Sequence, residues 1–280
     1  MKIGIIGNGF VGKATRQLEC NDLEILSYDL NPELCHPIGI KLNDLASCEL
    51  VFICVPTPMK DDGSCYLEFV NSVMKNLDEI SYTGFRVLRS TVPVGTCNSL
   101  GCYFMPEFLT EKRYIEDFIN NKDWIFGMKE SDDNDKFKSL VENIINIAFT
   151  NGKIKNNNVS FLKNSEAEMI KVFRNSFLAT KVSFCNEIYE YCQLKRINYS
   201  EMIKLAANDD RIGHSHTIVP GHDGSMGFGG TCFPKDISSL NFDMEKQGMK
   251  SFIVSAAIKR NNTVDRPEKD WESNKGRSVV

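Results

Sequence analysis

Apolar residues gather in short runs of strand length at "KIGIIG" (2–7), "LEILSYD" (23–29), "ELVFICV" (49–55), "FRVLRS" (85–90) and "DWIFGM" (123–128). Between several of these runs the period changes. In "LEFVNSVMKNLDEI" (67–80) the apolar residues recur at helical spacing. Strand, helix and strand in succession predicts a mostly parallel sheet covered on both faces, because parallel neighbours need a crossover that lies over the sheet. After a polar break, "NGKIKNNN" (151–158), one long helix is predicted from Ser165 to about Ile197, with Met169, Phe173, Phe177, Val182, Cys185, Ile188 and Cys192 at helical spacing. Shorter helices are predicted over 199–208, 235–247 and 251–260, with a glycine-rich loop after the first. The expected fold class is therefore α/β: a Rossmann-like doubly wound, mostly parallel sheet over 1–163, then a helical domain with one long central helix over 164–264. The polar stretch 265–280 is expected to be a solvated extension.

Composition narrows the function classes. The chain has 280 residues and is 42% hydrophobic, enough for a sizeable core. Its net charge of -4 offers no basic field for a nucleic-acid backbone, and no apolar run reaches the roughly 18 residues of a membrane span. Neither nucleic acid nor membrane is expected as a partner. The apolar start runs directly into a glycine pattern without a small-residue cleavage site, so a cytoplasmic location is expected. Ten cysteines are scattered with no CxxC pair, which predicts reduced thiols and no metal site.

Candidate chemistry begins at the first strand. Gly7-Asn8-Gly9-Phe10-Val11-Gly12 is G-x-G-x-x-G placed where a strand gives way to a helix, and Asp29 closes the second strand. In that context glycines allow a tight turn and the close approach of a pyrophosphate to a helix N-terminus. A carboxylate at Asp29 accepts from an adenosine ribose, so NAD is expected over NADP. "VPTP" (55–58) and "STVPVGT" (90–96) make Thr57 and Thr91 candidates to line the crevice beyond the strand ends, although such turns are common. Glu107 and Glu111 of "PEFLTE" share a face if that segment is helical; alone, they read as a solvated face. Lys171 and Asn175 lie four apart in the long helix, where ammonium and amide both suit a developing oxyanion. Taken alone they are an ordinary exposed face, and the same spacing at Lys204 and Asn208 is read as a decoy.

"GFGGTCFPKD" (227–236) carries the sharpest signal. Pro234 suits the first turn of a helix, which puts Cys232 just ahead of the N-terminus, where the macrodipole favours a thiolate and a neighbouring cation such as Lys235 adds to the effect. Cysteine is commonly a small buried thiol. Flanking glycines and a Lys-Asp pair are a poor setting for that role and favour a nucleophile.

These motifs, in this order and spacing, resemble the UDP-glucose/GDP-mannose dehydrogenase family over about residues 2–240. The resemblance implies a four-electron oxidation of the C6 alcohol of a nucleotide sugar, UDP-glucose first, by NAD through a thiohemiacetal and a thioester on Cys232. It implies Lys171 as oxyanion stabiliser, Asn175 as substrate holder, Asp236 as the group orienting water or hydroxyl, Glu111 as acid-base group, and Glu107 and Thr91 in a water network. Phe108, Leu109, Gly229 and Gly230 would meet substrate, "VPGHDGSMGFGG" would wrap its nucleotide half, and Arg211 would reach across a homodimer built on the long helix. Met105 stands where the family usually has Asn, Lys112 where Gly is common, and the chain ends before the family's usual third domain, implying a short form. GDP-mannose or a UDP-N-acetylhexosamine as substrate, a β-hydroxyacid dehydrogenase, and a non-catalytic NAD-binding protein are the competing readings.

Overall fold

The computed structural model describes residues 1–280. The five apolar runs become β1 (Lys2–Ile6), β2 (Glu24–Tyr28), β3 (Leu50–Ile53), β4 (Phe85–Leu88) and, after a two-residue β5 (Tyr103–Phe104), β6 (Trp124–Met128); β7 (Val159–Lys163) follows the polar break. The sheet order is β2-β1-β3-β4-β5-β6-β7, parallel throughout except where β5 meets β6. Alternation within each strand sorts its side chains onto two covered faces. Ile3, Ile5, Leu50, Phe52 and Val87 pack on one side; Ile6, Val51, Ile53 and Leu88 pack on the other. Each such fully buried aliphatic side chain contributes about 1.5–3 kcal/mol.

The helices of this sheet are α1 (Phe10–Thr15), α2 (Glu68–Glu79), the four-residue α3 (Thr96–Ser99), α4 (Tyr114–Ile119) and α5 (Asn134–Thr150). The last, absent from the sequence reading, buries Phe137, Val141, Ile144, Ile145 and Ala148, a helical stripe in its own right. From β1 the chain steps to β2 on one side and returns to β3 on the other, so the crevice beyond the carboxyl ends of β1 and β3 is the topological switch point.

Thereafter come α6 (Asn164–Lys195), α7 (Tyr199–Ala206), α8 (Phe233–Lys246) and α9 (Phe252–Arg260). No helix is long and apolar enough to cross a membrane. Two compact units result: Met1–Thr57 with Leu67–Lys171, and Pro58–Tyr66 with Val172–Val280. The division falls inside α6 rather than at residue 163, because the first turns of that helix pack Ala167 and Ile170 into the sheet's core.

Three expectations change in the second unit. Residues 58–66 belong to it: Met59 bridges to Cys65 and Val279, and the Met59 N–H donates to Ser278 at 2.8 Å. The stretch 265–280 is not a solvated tail, since Trp271 is 2% exposed and Arg266 4%, its charge matched by carboxylates that sequence distance concealed. Finally, the apolar stripe of α6 divides. Val182, Cys185, Ile188 and Cys192 pack inward, whereas Phe173 and Phe177 are each 57% exposed and stack on one another.

Candidate functional site

Gly7 sits at φ +90°, a conformation that L side chains avoid. A Cβ on Gly12 would meet the Gly7 carbonyl oxygen at 2.2 Å, while one on Gly9 would meet nothing within 4 Å. The turn is therefore closed on its protein side and open at Gly9, as a cradle for a pyrophosphate requires. At the end of β2 the Asp29 carboxylate accepts from the N–H of Asn8 at 2.7 Å and of Asn31 at 2.9 Å, locking turn and carboxylate together. The Asn8 side chain donates to the Leu34 carbonyl at 2.6 Å, and its buried oxygen Oδ1 has no partner within the protein. Phe10 and Val11 open α1, where the Val11 carbonyl accepts from Thr15. These residues fit NAD. Gly12→Ala is expected to cost about 1–3 kcal/mol through the clash and to abolish the rise in Tm produced by NAD. Melting with and without NAD checks it; an unchanged NAD shift in the variant contradicts the cradle.

Beyond the adjacent strands, Thr57 donates to the Thr91 carbonyl at 2.7 Å, bringing both predicted threonines together at the ends of β3 and β4. The segment 106–110 has no regular secondary structure, so Glu107 and Glu111 do not share a helical face: Glu107 is buried, and Glu111 opens an exposed 3-10 turn. The Glu107 carboxylate accepts from Lys171 Nζ at 2.7 Å and from the Leu109 N–H at 2.8 Å. Burial alone would raise this carboxyl, but the Lys171 ammonium, the Leu109 N–H and the Arg89 charge hold it below the usual carboxylate range. Lys171 also lies 5.9 Å from the Phe108 ring centroid, a cation–π contact, while Leu109 packs against the core. Met105, a departure in the motif, is core, 2% exposed; Lys112 is exposed.

Within the second unit, Cys232 is the N-cap of α8 and Pro234 occupies its first turn. The sulfur is half-buried and 3.8 Å from the Thr231 hydroxyl. Below it Asp236, 2% exposed, accepts from Asn175 at 2.5 Å and from Lys235 at 2.5 Å. Burial alone would lower the Lys235 ammonium, but the Asp236 carboxylate beside it, with smaller contributions from Cys232 and Cys65, holds it above its usual range. Lys235 is thus a fixed cation whose charge Asp236 shares. Gly230, at φ +74°, has open space where its Cβ would be, and Gly229 lies against Arg266. Arg211 is exposed and held by Asp209 at 2.6 Å. Asn208, the decoy, meets His214 instead, at 3.1 Å.

Sequence reasoning passed over several supports. Glu168, one helical turn before Lys171, accepts from the N–H groups of Gly95 at 2.6 Å and Cys97 at 2.8 Å, which ties the Thr91 turn to α6. Its spacing from Lys171 on one helix was a usable signal. Arg89, fully buried, donates to Thr15, and Lys181 donates to three carbonyls, of Ile212, Gly213 and Ser215, at 2.6–3.0 Å.

The chain matches family models for the UDP-glucose/GDP-mannose dehydrogenase family: the NAD binding domain over residues 40–145 and the central domain over 165–263. It is 32% identical to the UDP-glucose 6-dehydrogenase of Rickettsia typhi over 252 residues, covering 85% of this chain and 55% of that one. A UDP-glucose 6-dehydrogenase of Pseudomonas aeruginosa is 32% identical over 235 residues, covering 78% and 49%. The chain spans about half the length of these curated relatives. Its fold is similar to a UDP-glucose dehydrogenase from Pyrobaculum islandicum, with TM-score 0.77, 23% identity, and coverage of 93% of this chain and 68% of that chain. A UDP-D-ManNAc dehydrogenase from Pyrococcus horikoshii gives TM-score 0.74 at 19% identity, with 94% and 68% covered.

Proposed function

The chain belongs to the UDP-glucose/GDP-mannose dehydrogenase family, and from that premise we propose that it oxidises the C6 alcohol of a nucleotide sugar, UDP-glucose first, to the acid. The observation that carries the reading is Cys232 capping α8 with Asp236 in the first turn, bound to both Lys235 and Asn175.

The glycine turn would hold two NAD molecules in succession, each of which would accept one hydride, the first from C6 of the alcohol and the second from the thiohemiacetal. Once C6 is an aldehyde, Cys232 Sγ adds to it, and the carbonyl oxygen takes up a proton to give a thiohemiacetal. Lys171 and Asn175 are assigned as donors to that oxygen while it carries negative charge. Loss of the second hydride and the hydroxyl proton leaves a thioester on Cys232. Asp236 and Glu111 are assigned to hold and deprotonate the water that attacks it, which releases the acid and restores the thiol. Glu107 and Thr91 are assigned to the water network, Phe108, Leu109, Gly229 and Gly230 to the substrate, and Asp29 to the preference for NAD. The exposed aromatic residues of α6, Phe173, Phe177 and Phe184, support a homodimer on that helix, with Arg211 reaching the partner's substrate.

Incubation with NAD and a panel of nucleotide sugars tests the reading. Two NADH per sugar consumed, with UDP-glucose preferred, is the expected result. Preference for GDP-mannose or a UDP-N-acetylhexosamine changes the substrate only. One NADH per molecule with a β-hydroxyacid, or no turnover with NAD bound, overturns the proposal.

A further inference from the structure

The glycine loop before Cys232 is held from below by the stretch 261–270, which the sequence reading assigned partly to solvent. Asn261 accepts from the Phe228 N–H at 2.7 Å and donates to the Phe228 carbonyl at 3.0 Å, and a Cβ on Gly227 would meet Asn261 Oδ1 at 2.4 Å. One step along, a Cβ on Gly229 would meet Arg266 Cζ at 2.5 Å. The loop backbone therefore lies directly on the guanidinium. That guanidinium is itself fixed by three hydrogen bonds to two carboxylates: Nε and Nη2 donate to Asp270 at 2.6 and 2.8 Å, and Nη1 donates to Asp223 at 2.7 Å. Burial alone would lower Arg266, but Asp270 and Asp223 hold it above its usual range, so its charge persists. A planar cation held by a bidentate carboxylate has little rotational freedom and makes a rigid floor.

We infer that Arg266 is a positioning residue for Cys232: it joins Asp270 of the chain's last segment to Asp223 of the loop ahead of the glycines and fixes the height of Gly229, three residues before the thiol. The inference rests on Cys232 being the nucleophile and deepens that reading.

The test is Arg266→Ala and Asp223→Asn in the full chain, assayed for kcat and KM with UDP-glucose and for the rate of Cys232 alkylation by iodoacetamide. The alkylation rate needs no substrate, so it separates failure of this inference from failure of the proposed activity. In Arg266→Ala, kcat is expected to fall on the order of 10- to 100-fold, as misplacement of a reacting group by about 1 Å produces. The alkylation rate is expected to change as well, and added guanidinium ion to restore part of both. Wild-type rates in the folded variant, or a loss that guanidinium does not recover, overturn the inference. Where Arg266→Ala does not fold, Asp223→Asn decides, because it removes the charge of one half-exposed carboxylate. A fall in kcat of at least about threefold at unchanged Tm supports positioning, on the same sensitivity of rate to geometry; an unchanged kcat excludes it.

Discussion

Cys232→Ser is expected to end acid formation, lowering kcat by roughly a thousandfold or more, while NAD binds as before. The argument starts from atoms. Serine keeps the side chain's shape and its place as N-cap of α8, so the fold is not at issue. What changes is the nucleophile: a thiol furnishes some thiolate at neutral pH and a thioester expels it readily, whereas an alcohol does neither without a base beside it. The glycine turn and Asp29, which are assigned to NAD, belong to the other compact unit and keep their own hydrogen bonds in the variant. NAD affinity, read by titration, should therefore stay within about twofold of wild type, because the residues assigned to NAD are themselves unchanged. Acid formation is followed by chromatography of the sugar product. Sustained uronic acid from the serine variant sinks the nucleophile assignment.

The parts of the site that were legible in the sequence are those whose chemistry is local. G-x-G-x-x-G at a strand end needs only the backbone of Gly7 and Gly12 to explain it, and Cys-Phe-Pro marks a helix start because Pro234 can stand only in the first turn. The five strands were readable because runs such as "LVFI" are buried on both faces. Long-range pairings were not. Glu107 and Lys171 are 64 residues apart, and Arg266 and Asp223 are 43 apart. No spacing rule links such pairs. The α6 stripe misled in a different way: one helical period carries both the packed residues Val182 and Cys185 and the exposed Phe173 and Phe177. Periodicity records that a face is apolar and not which neighbour covers it. The final stretch read as solvated because it is polar, yet its charged residues are the ones that pair: Arg266 with Asp270 and Asp223, and Asp265 with Arg260.

Lys171→Met is expected to be strongly destabilising, and its effect should depend on pH in a definite direction. Lys171 Nζ and Glu107 Oε1 are 2.7 Å apart, with side chains 4% and 7% exposed. Removing one member of such a pair strands the other charge in a dry site at a cost of about 3–5 kcal/mol. In the wild type the Glu107 carboxyl is held below its usual range, so its contribution to stability is fully present above the unfolded carboxylate range and fades as pH falls through the folded value. Without the ammonium, burial dominates and the sign reverses. Glu107 then binds a proton more tightly folded than unfolded, and the variant gains relative stability as pH falls. Urea denaturation at pH 7 and at about pH 4, near the ordinary Glu value, should therefore give a larger deficit at neutral pH than in acid. Adding Glu107→Gln to Lys171→Met should recover much of the neutral-pH stability, because a neutral amide replaces the buried charge left without its ammonium, while activity stays down by roughly 100-fold or more if the proposed oxyanion role of Lys171 holds. A deficit equal at both pH values, or a double variant no more stable than the single one, excludes the buried ion pair as the source.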